Sequence, residues 1–298
     1  MKDTMTELAY GLGWRVVRTL PETLAARAFR AAADRAYRSN SRGVRQLRRN
    51  LRRVCGPGPS EAELDAVTKD AMRSYARYWL EAFRLPSYSK RELRERFTLE
   101  DWDVFAQNQK NGQGTIVALA HSGNWDLAGA ASSIRGWPVV TVAERLKPEG
   151  VYQKFLKFRE SLGMEILPYA HGEGEIMQVL LQRLRSRAVV PLLADRDMSG
   201  RGVETVFFGE KIRMPAGPAN LAIRSGCPLY TLVLQYDGPK SCHGVLEGPI
   251  EIPSQGDMNA RITTVTQSIA DNFAAKIAKQ PHDWHMLQRL WLSDMPTE

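Results

Sequence analysis

His121 and Asp126 are the first residues in this chain whose types and spacing could do chemistry. The apolar run 115–120 follows a Gly-rich turn and leads straight into His121-Ser122-Gly123-Asn124-Trp125-Asp126, and 127–134 reads as helix. Strand, tight turn at Gly123 and helix together place His121 at the C-terminal end of a strand. In an open α/β sheet that edge is where ligands bind. Asp126, five residues on, is expected to fold back toward the imidazole. A carboxylate on one ring nitrogen fixes the tautomer and leaves the other nitrogen as a general base. This is the orienting half of a catalytic triad without a protein nucleophile, so an incoming hydroxyl would attack. The plainer reading is that Asp126 caps a helix and His121 is a polar residue at a strand end.

A second cluster, Asp195-Arg196-Asp197, follows another apolar run, 188–194. If both runs are parallel strands of one sheet, the cluster emerges at the same edge as His121. Its carboxylates could support the histidine or bind a polar head group; a solvated loop with internal ion pairs is the alternative.

The elements that must position these residues are legible in outline. Apolar runs at 115–120, 138–143, 165–168, 188–194 and 229–236 alternate with helical stretches at 152–162, 175–186 and 219–225, and 258–280 closes the chain as a helix. Strands alternating with helices predict an α/β fold, a mostly parallel central sheet flanked by helices. The first 100 residues read as a helical N-terminal region of the same single domain, 1–298. Within it, Val44, Leu47, Leu51 and Val54 oppose Arg38, Arg42, Arg45, Arg49 and Arg52 at helical spacing. After a Gly-Pro-Gly-Pro break, Ser60 and Glu63 form a capping box. The helix it opens carries Tyr75, Tyr78, Trp79 and Phe83, a stripe fit for a helix core or for the lining of an apolar tunnel.

Composition narrows the function classes. The chain has 41 Lys plus Arg against 33 Asp plus Glu. Ten of the arginines, with one acid and no lysine, lie between Arg27 and Arg53. The basic character therefore belongs to one segment. It suits an anionic membrane surface. Aromatic residues are sparse there and no nucleic-acid fold signature appears, so no nucleic-acid partner is expected. Cys55, Cys227 and Cys242 form no C-x-x-C pair, which argues against a disulfide framework. There is no run of 18 apolar residues for a transmembrane helix, so membrane contact would be peripheral. His282-x-x-His285 lacks carboxylate or thiol companions, so no metal is expected. Nor is there a Gly-rich nucleotide loop.

The blocks in order carry a resemblance. His-Ser-Gly-Asn-Trp-Asp after an apolar strand resembles the H-x4-D/E motif of the bacterial lysophospholipid and lipid A acyltransferases. Asp195-Arg196-Asp197, then Thr205 to Glu210, then Arg213-Met214-Pro215-Ala216-Gly217-Pro218, and finally Pro281-His282-Asp283-Trp284 with Arg289 and Trp291, are similar to that family's later blocks. Among its members the chain most resembles the phosphatidylinositol mannoside acyltransferases. The resemblance implies His121 as general base with Asp126 as its partner, and Asp195 at a position those enzymes fill with Glu, one methylene longer. It implies substrate-binding positions at Glu144, Arg145 and Arg159, and lifts Arg196, Asp197 and Arg213 as candidates beside them. The implied reaction moves a fatty acyl chain from acyl-CoA, a co-substrate rather than a bound cofactor, to a glycolipid acceptor. The implied location is the cytoplasmic face of the inner membrane. A lipid A-type or other lysolipid acyltransferase, a non-catalytic membrane-binding protein and a metal hydrolase using Asp195 and Asp197 are the rival readings.

Overall fold

The computed structural model describes Trp14 and residues 16–144, 149–169 and 173–295, with backbone alone for Glu144, Val151, Tyr169 and Glu173. Helices α1 (Glu22–Arg38), α2 (Arg42–Cys55) and α3 (Glu61–Arg84) form the N-terminal region. Val44, Leu47, Leu51 and Val54 are the buried face of α2 as expected, and Arg42, Arg45 and Arg49 are exposed; of the other two expected arginines, Arg38 ends α1 and Arg52 is half-buried against Glu61. Each such aliphatic side chain contributes roughly 1.5–3 kcal/mol on leaving water. Ser60 and Glu63 exchange both bonds of the expected capping box at the start of α3. A short helix α4 (Lys90–Arg96) then feeds β1 (Phe97–Leu99), and α5 (Asp103–Lys110) leads into the sheet proper.

From there the chain runs β2 (Thr115–Leu119), α6 (Trp125–Ser133), β3 (Val139–Glu144), α7 (Glu149–Ser161), β4 (Met164–Tyr169), α8 (Glu173–Arg185) and β5 (Val189–Leu193). A hairpin of β6 (Val203–Phe207) and β7 (Glu210–Met214) follows. Then come α9 (Gly217–Ser225), β8 (Leu229–Asp237), β9 (Ser241–Glu247) and α10 (Met258–Ile277). The seven-stranded sheet has the order β1-β9-β8-β2-β5-β3-β4. Its pairings are parallel except β8 with β9.

Both faces of the sheet are covered, as a parallel sheet requires. Successive β2 residues point to opposite sides. Ile116 and Ala118 join the core built with α8, α9 and α10; Val117 and Leu119 join the one built with α5, α6 and α7. The alternation of texture in the sequence captured this architecture. It did not reveal β1, which is three residues long, or β9, whose Ser241, His243 and Gly244 break the apolar pattern. The β6–β7 hairpin also went unread, because it lies outside the main sheet.

Candidate active site

Strand register brings the two polar clusters together. In the parallel pairing of β2 with β5, Leu119 lies opposite Leu193. Two residues further along each chain, His121 and Asp195 emerge side by side. The His121 ring Nδ1 is 2.5 Å from Asp195 Oδ1, and the His121 backbone N–H donates to Oδ2 at 2.9 Å. Trp284 Nε1 donates to the same Oδ2 at 2.8 Å. Asp195 is wholly buried. Burial pushes its carboxyl up, but the His121 ring, Trp284 and the His121 backbone outweigh burial and hold it below the usual carboxylate range. An ionised Asp195 requires Nδ1 to carry the proton, so Nε2 presents a lone pair. Among the described residues Nε2 has no partner, and the His121 side chain is 22% exposed. The shorter Asp side chain therefore reaches the imidazole.

Asp126 does not pair with His121, contrary to the spacing argument. It accepts from Arg159 Nε at 2.7 Å and from Tyr78 Oη at 3.0 Å, and is nearly fully buried. Helix α6 begins at Trp125, so Asp126 projects from its first turn toward α3 and α7, away from the strand end. Burial lowers the Arg159 pKa, yet Asp126 and Tyr78 outweigh it and the guanidinium is held above its ordinary value. Burial, reinforced by Asp126, pushes the Tyr78 phenol well up. The trio is a charged, fully bonded knot; removing one partner of such a pair costs about 3–5 kcal/mol.

The turn between His121 and Asp126 is held from three directions. Gly123 has φ +51°, and a Cβ there would stand 2.8 Å from the backbone of Leu234, so glycine alone fits. Asn124 caps α6 through Leu127 N at 2.9 Å and gives its Nδ2 to Glu81 of α3 at 2.9 Å. Segment 281–285 forms a clasp over the turn: Ser122 bridges to Trp284, Gly123 N donates to Asp283 O at 3.0 Å, and His285 N donates to His121 O at 2.7 Å. Asp283 in turn accepts from Ser74 Oγ at 2.6 Å and from Tyr236 N at 2.6 Å. Ser74 therefore receives the Nε2–H of His285, 2.9 Å away. Burial pushes the His285 pKa down to about 3, so this second imidazole is neutral beside the first.

An apolar cleft opens between the sheet and α6. Its wall includes Trp125, Asp126 and Arg159, together with Phe105, Leu119 and Val189. It encloses about 710 Å³ of space, its open mouth included. The Trp125 ring sits 5.7 Å from the His121 ring, which ties the cleft to the imidazole.

The remaining candidates are scattered. Asp197 organises its own loop, accepting from Ser199 N and Gly202 N. Arg196 is half-buried next to Asp195. Glu144 ends β3, and Arg145 lies outside the described residues. Arg213 stands on the exposed side of β7, paired with Glu204 across the hairpin at 3.4 Å, and is not drawn into the site. Of the aromatic stripe, Tyr78 stacks on Trp125 with centroids 4.0 Å apart, whereas Trp79 and Phe83 pack in the core beside Trp14 and do not line the cleft. Sequence reasoning missed Glu81 and Ser74, and it singled out Trp284 and His285 without their bonds to the site. A carboxylate amid the aromatic face of α3 was the available signal for Glu81.

The described helices include none long and apolar enough to cross a membrane, and no described group of three His, Cys, Asp or Glu could hold a metal ion. The three cysteines are free. Residues 2–293 match the family model described as bacterial lipid A biosynthesis acyltransferase. The chain is 44% identical over 294 residues to a phosphatidylinositol mannoside acyltransferase of Mycolicibacterium smegmatis, covering 99% of this chain and 94% of that one. It is 43% identical over 294 residues to proteins of the same name from two Mycobacterium tuberculosis strains, covering 98% of this chain and 90% of theirs. Matched from end to end by these comparisons, with a histidine–aspartate pair next to a residue of the apolar cleft wall, this protein is an acyltransferase, and it belongs to the bacterial lipid A biosynthesis acyltransferase family.

Proposed function

We propose that this chain transfers a fatty acyl group from acyl-CoA to a mannose hydroxyl of a phosphatidylinositol mannoside, with His121 as general base. The observation that carries this is the fixed tautomer of His121, whose Nδ1 is engaged by buried, ionised Asp195 while Nε2 stands free beside an apolar cleft. The acceptor hydroxyl gives its proton to Nε2 as its oxygen bonds to the thioester carbon. The tetrahedral intermediate then collapses, the C–S bond breaks, and the leaving thiolate takes the proton from the imidazolium. No acyl-enzyme forms, because no described residue offers a nucleophile bonded to the ring. The N–H groups of Ser122 and Gly123 are committed to Ala120 O and Asp283 O. The first-turn N–H groups of α6, at Trp125 and Asp126, are the donors for the developing oxyanion.

Asp126 and Arg159 sit in the cleft wall and would meet polar groups of the substrates, with Arg196 beside the pair. The acceptor's sugar follows the name of the relatives, and the acyl-CoA carrier follows the family resemblance of the sequence blocks. The arginine-bearing face of α2 suits peripheral attachment to an anionic membrane. The test is transfer of labelled palmitate from palmitoyl-CoA to purified phosphatidylinositol mannosides. The native chain should transfer and His121→Ala should be reduced by about 10²–10⁴. Near-native turnover by that variant would remove the general-base assignment, and no transfer by the native chain would remove the substrate assignment.

A further inference from the structure

Six arginines lie on α2 between Arg42 and Arg53, and the structure divides them into two groups. Arg48 pairs with Glu61 and Asp65, Arg52 with Glu61, and Arg53 with Glu210 and Asp294. Those three are structural. Arg42, Arg45 and Arg49 have no carboxylate partner among the described residues, and they line one concavity together with Gln46 and Arg289. Arg289 arrives from the far end of the sequence and likewise has no carboxylate partner among the described residues.

Convergence of this kind is costly without a counter-ion. Like charges brought together around one hollow repel, and an exposed helix face offers each guanidinium open water instead. The anchoring of the C-terminal segment enforces it: Asn50 of α2 donates to Met286 O at 2.7 Å and to Gln288 O at 2.9 Å, which fixes Arg289 beside the helix. Asp294 is close enough to the hollow to bond Gln46. It feels Arg49, but it is held by Arg53 and Gln46 and does not bond to Arg49. Gln46 is buried with its amide spent on Asn50 and Asp294. Arg45 gives one Nη1 N–H to Asn40 O; the guanidinium groups of Arg42, Arg49 and Arg289 have no acceptor among the described residues, and planar guanidinium forks match phosphate oxygens two at a time.

We propose that Arg42, Arg45, Arg49 and Arg289 form a phosphate-ester site separate from the His121–Asp195 pair. Its position suits a substrate that is also drawn to the catalytic edge. Arg289 is four residues from His285, so its Cα lies at most about 14 Å from that of His285, whose N–H bonds His121 O. A phosphate ester held there could belong to the soluble nucleotide of the donor carrier or to an anionic lipid head group, and the experiment separates the two.

Binding of adenosine 3′,5′-bisphosphate is measured by calorimetry, and binding to phosphatidylcholine vesicles with or without phosphatidylinositol by flotation. The variant is R42Q/R45Q/R49Q/R289Q, which leaves Arg48, Arg52 and Arg53 in their ion pairs. The control, R27Q/R30Q/R35Q/R91Q, removes the same charge from exposed positions elsewhere. The site variant should lose at least about 100-fold in affinity for one of the two probes, the equivalent of two charge-assisted bonds, while the control keeps it. Loss toward the bisphosphate alone assigns the carrier, and loss toward phosphatidylinositol vesicles alone assigns the head group. Unchanged binding of both probes overturns the site, and so does an equal loss in site variant and control. Neither readout involves turnover, so failure here is separable from failure of the general-base assignment.

Discussion

Asp195 Oδ1 stands 2.5 Å from Nδ1 of His121, although 74 residues separate the two in the chain. The pairing is made by strand register, not by the local turn, and it decides which carboxylate meets the imidazole.

Exchanging Asp195 for Asn therefore removes the charge that holds the Nδ1–H tautomer. Turnover is expected to fall by about 10²–10⁴ with little change in KM, because the loss falls on the proton-accepting step. Steady-state kinetics with saturating acceptor check this, and an unchanged kcat would separate Asp195 from the reaction.

Asp126→Ala acts differently. It strands the Arg159 guanidinium and the Tyr78 hydroxyl, so the expected effect is a stability loss of about 3–5 kcal/mol. Adding Arg159→Met should recover part of that loss, since the orphaned charge goes with it. Urea unfolding followed by circular dichroism measures both; equal stability of Asp126→Ala and native protein would contradict the knot.

His285 makes stability depend on pH. Its folded pKa of about 3 lies below its ordinary value of 6.5, so the unfolded chain binds the extra proton between the two. Its contribution is complete above about pH 6.5 and drains away as pH falls toward 3. At pH 5 the loss is about 2 kcal/mol. Unfolding free energies at pH 7.5 and 5 should show a steeper decline for the native chain than for His285→Gln, and parallel declines would refute the assignment.

Gly129 and Met164 both line the cleft, and a Cβ on Gly129 would stand 2.5 Å from Met164 Sδ. Gly129→Val is expected to narrow the passage and shift donor preference toward shorter chains. Turnover with palmitoyl-CoA should fall roughly 10-fold or more relative to octanoyl-CoA, because an overpacked cleft resists each added methylene. A constant ratio between the two donors would place the acyl chain elsewhere.

The sequence made the scaffold readable where periodicity was strong. The runs at 115–120 and 188–194 became β2 and β5, and the Val44-to-Val54 stripe became the buried face of α2. At the site it disclosed the residue types but not their partners. Five-residue spacing suggested Asp126 for His121, yet a helix that starts at Trp125 turns Asp126 away. The true partner comes through β2–β5 pairing, which no local pattern records. Trp284, Asp283 and His285 were visible as a polar and aromatic block, but what they hold depends on a segment packing back over Asp195, 89 positions earlier, and over the turn at 121–123, about 160 positions earlier.

That clasp also sets the order in which the molecule becomes competent. Contacts between residues so far apart close late, after nearer ones have formed. Until 281–285 docks, the turn at Gly123 lacks the main-chain bonds that shape it and Asp195 lacks its indole donor. On dilution from denaturant, recovery of helical signal should run ahead of recovery of turnover, with a lag between them that measures how long the finished scaffold waits for its last strand of chain.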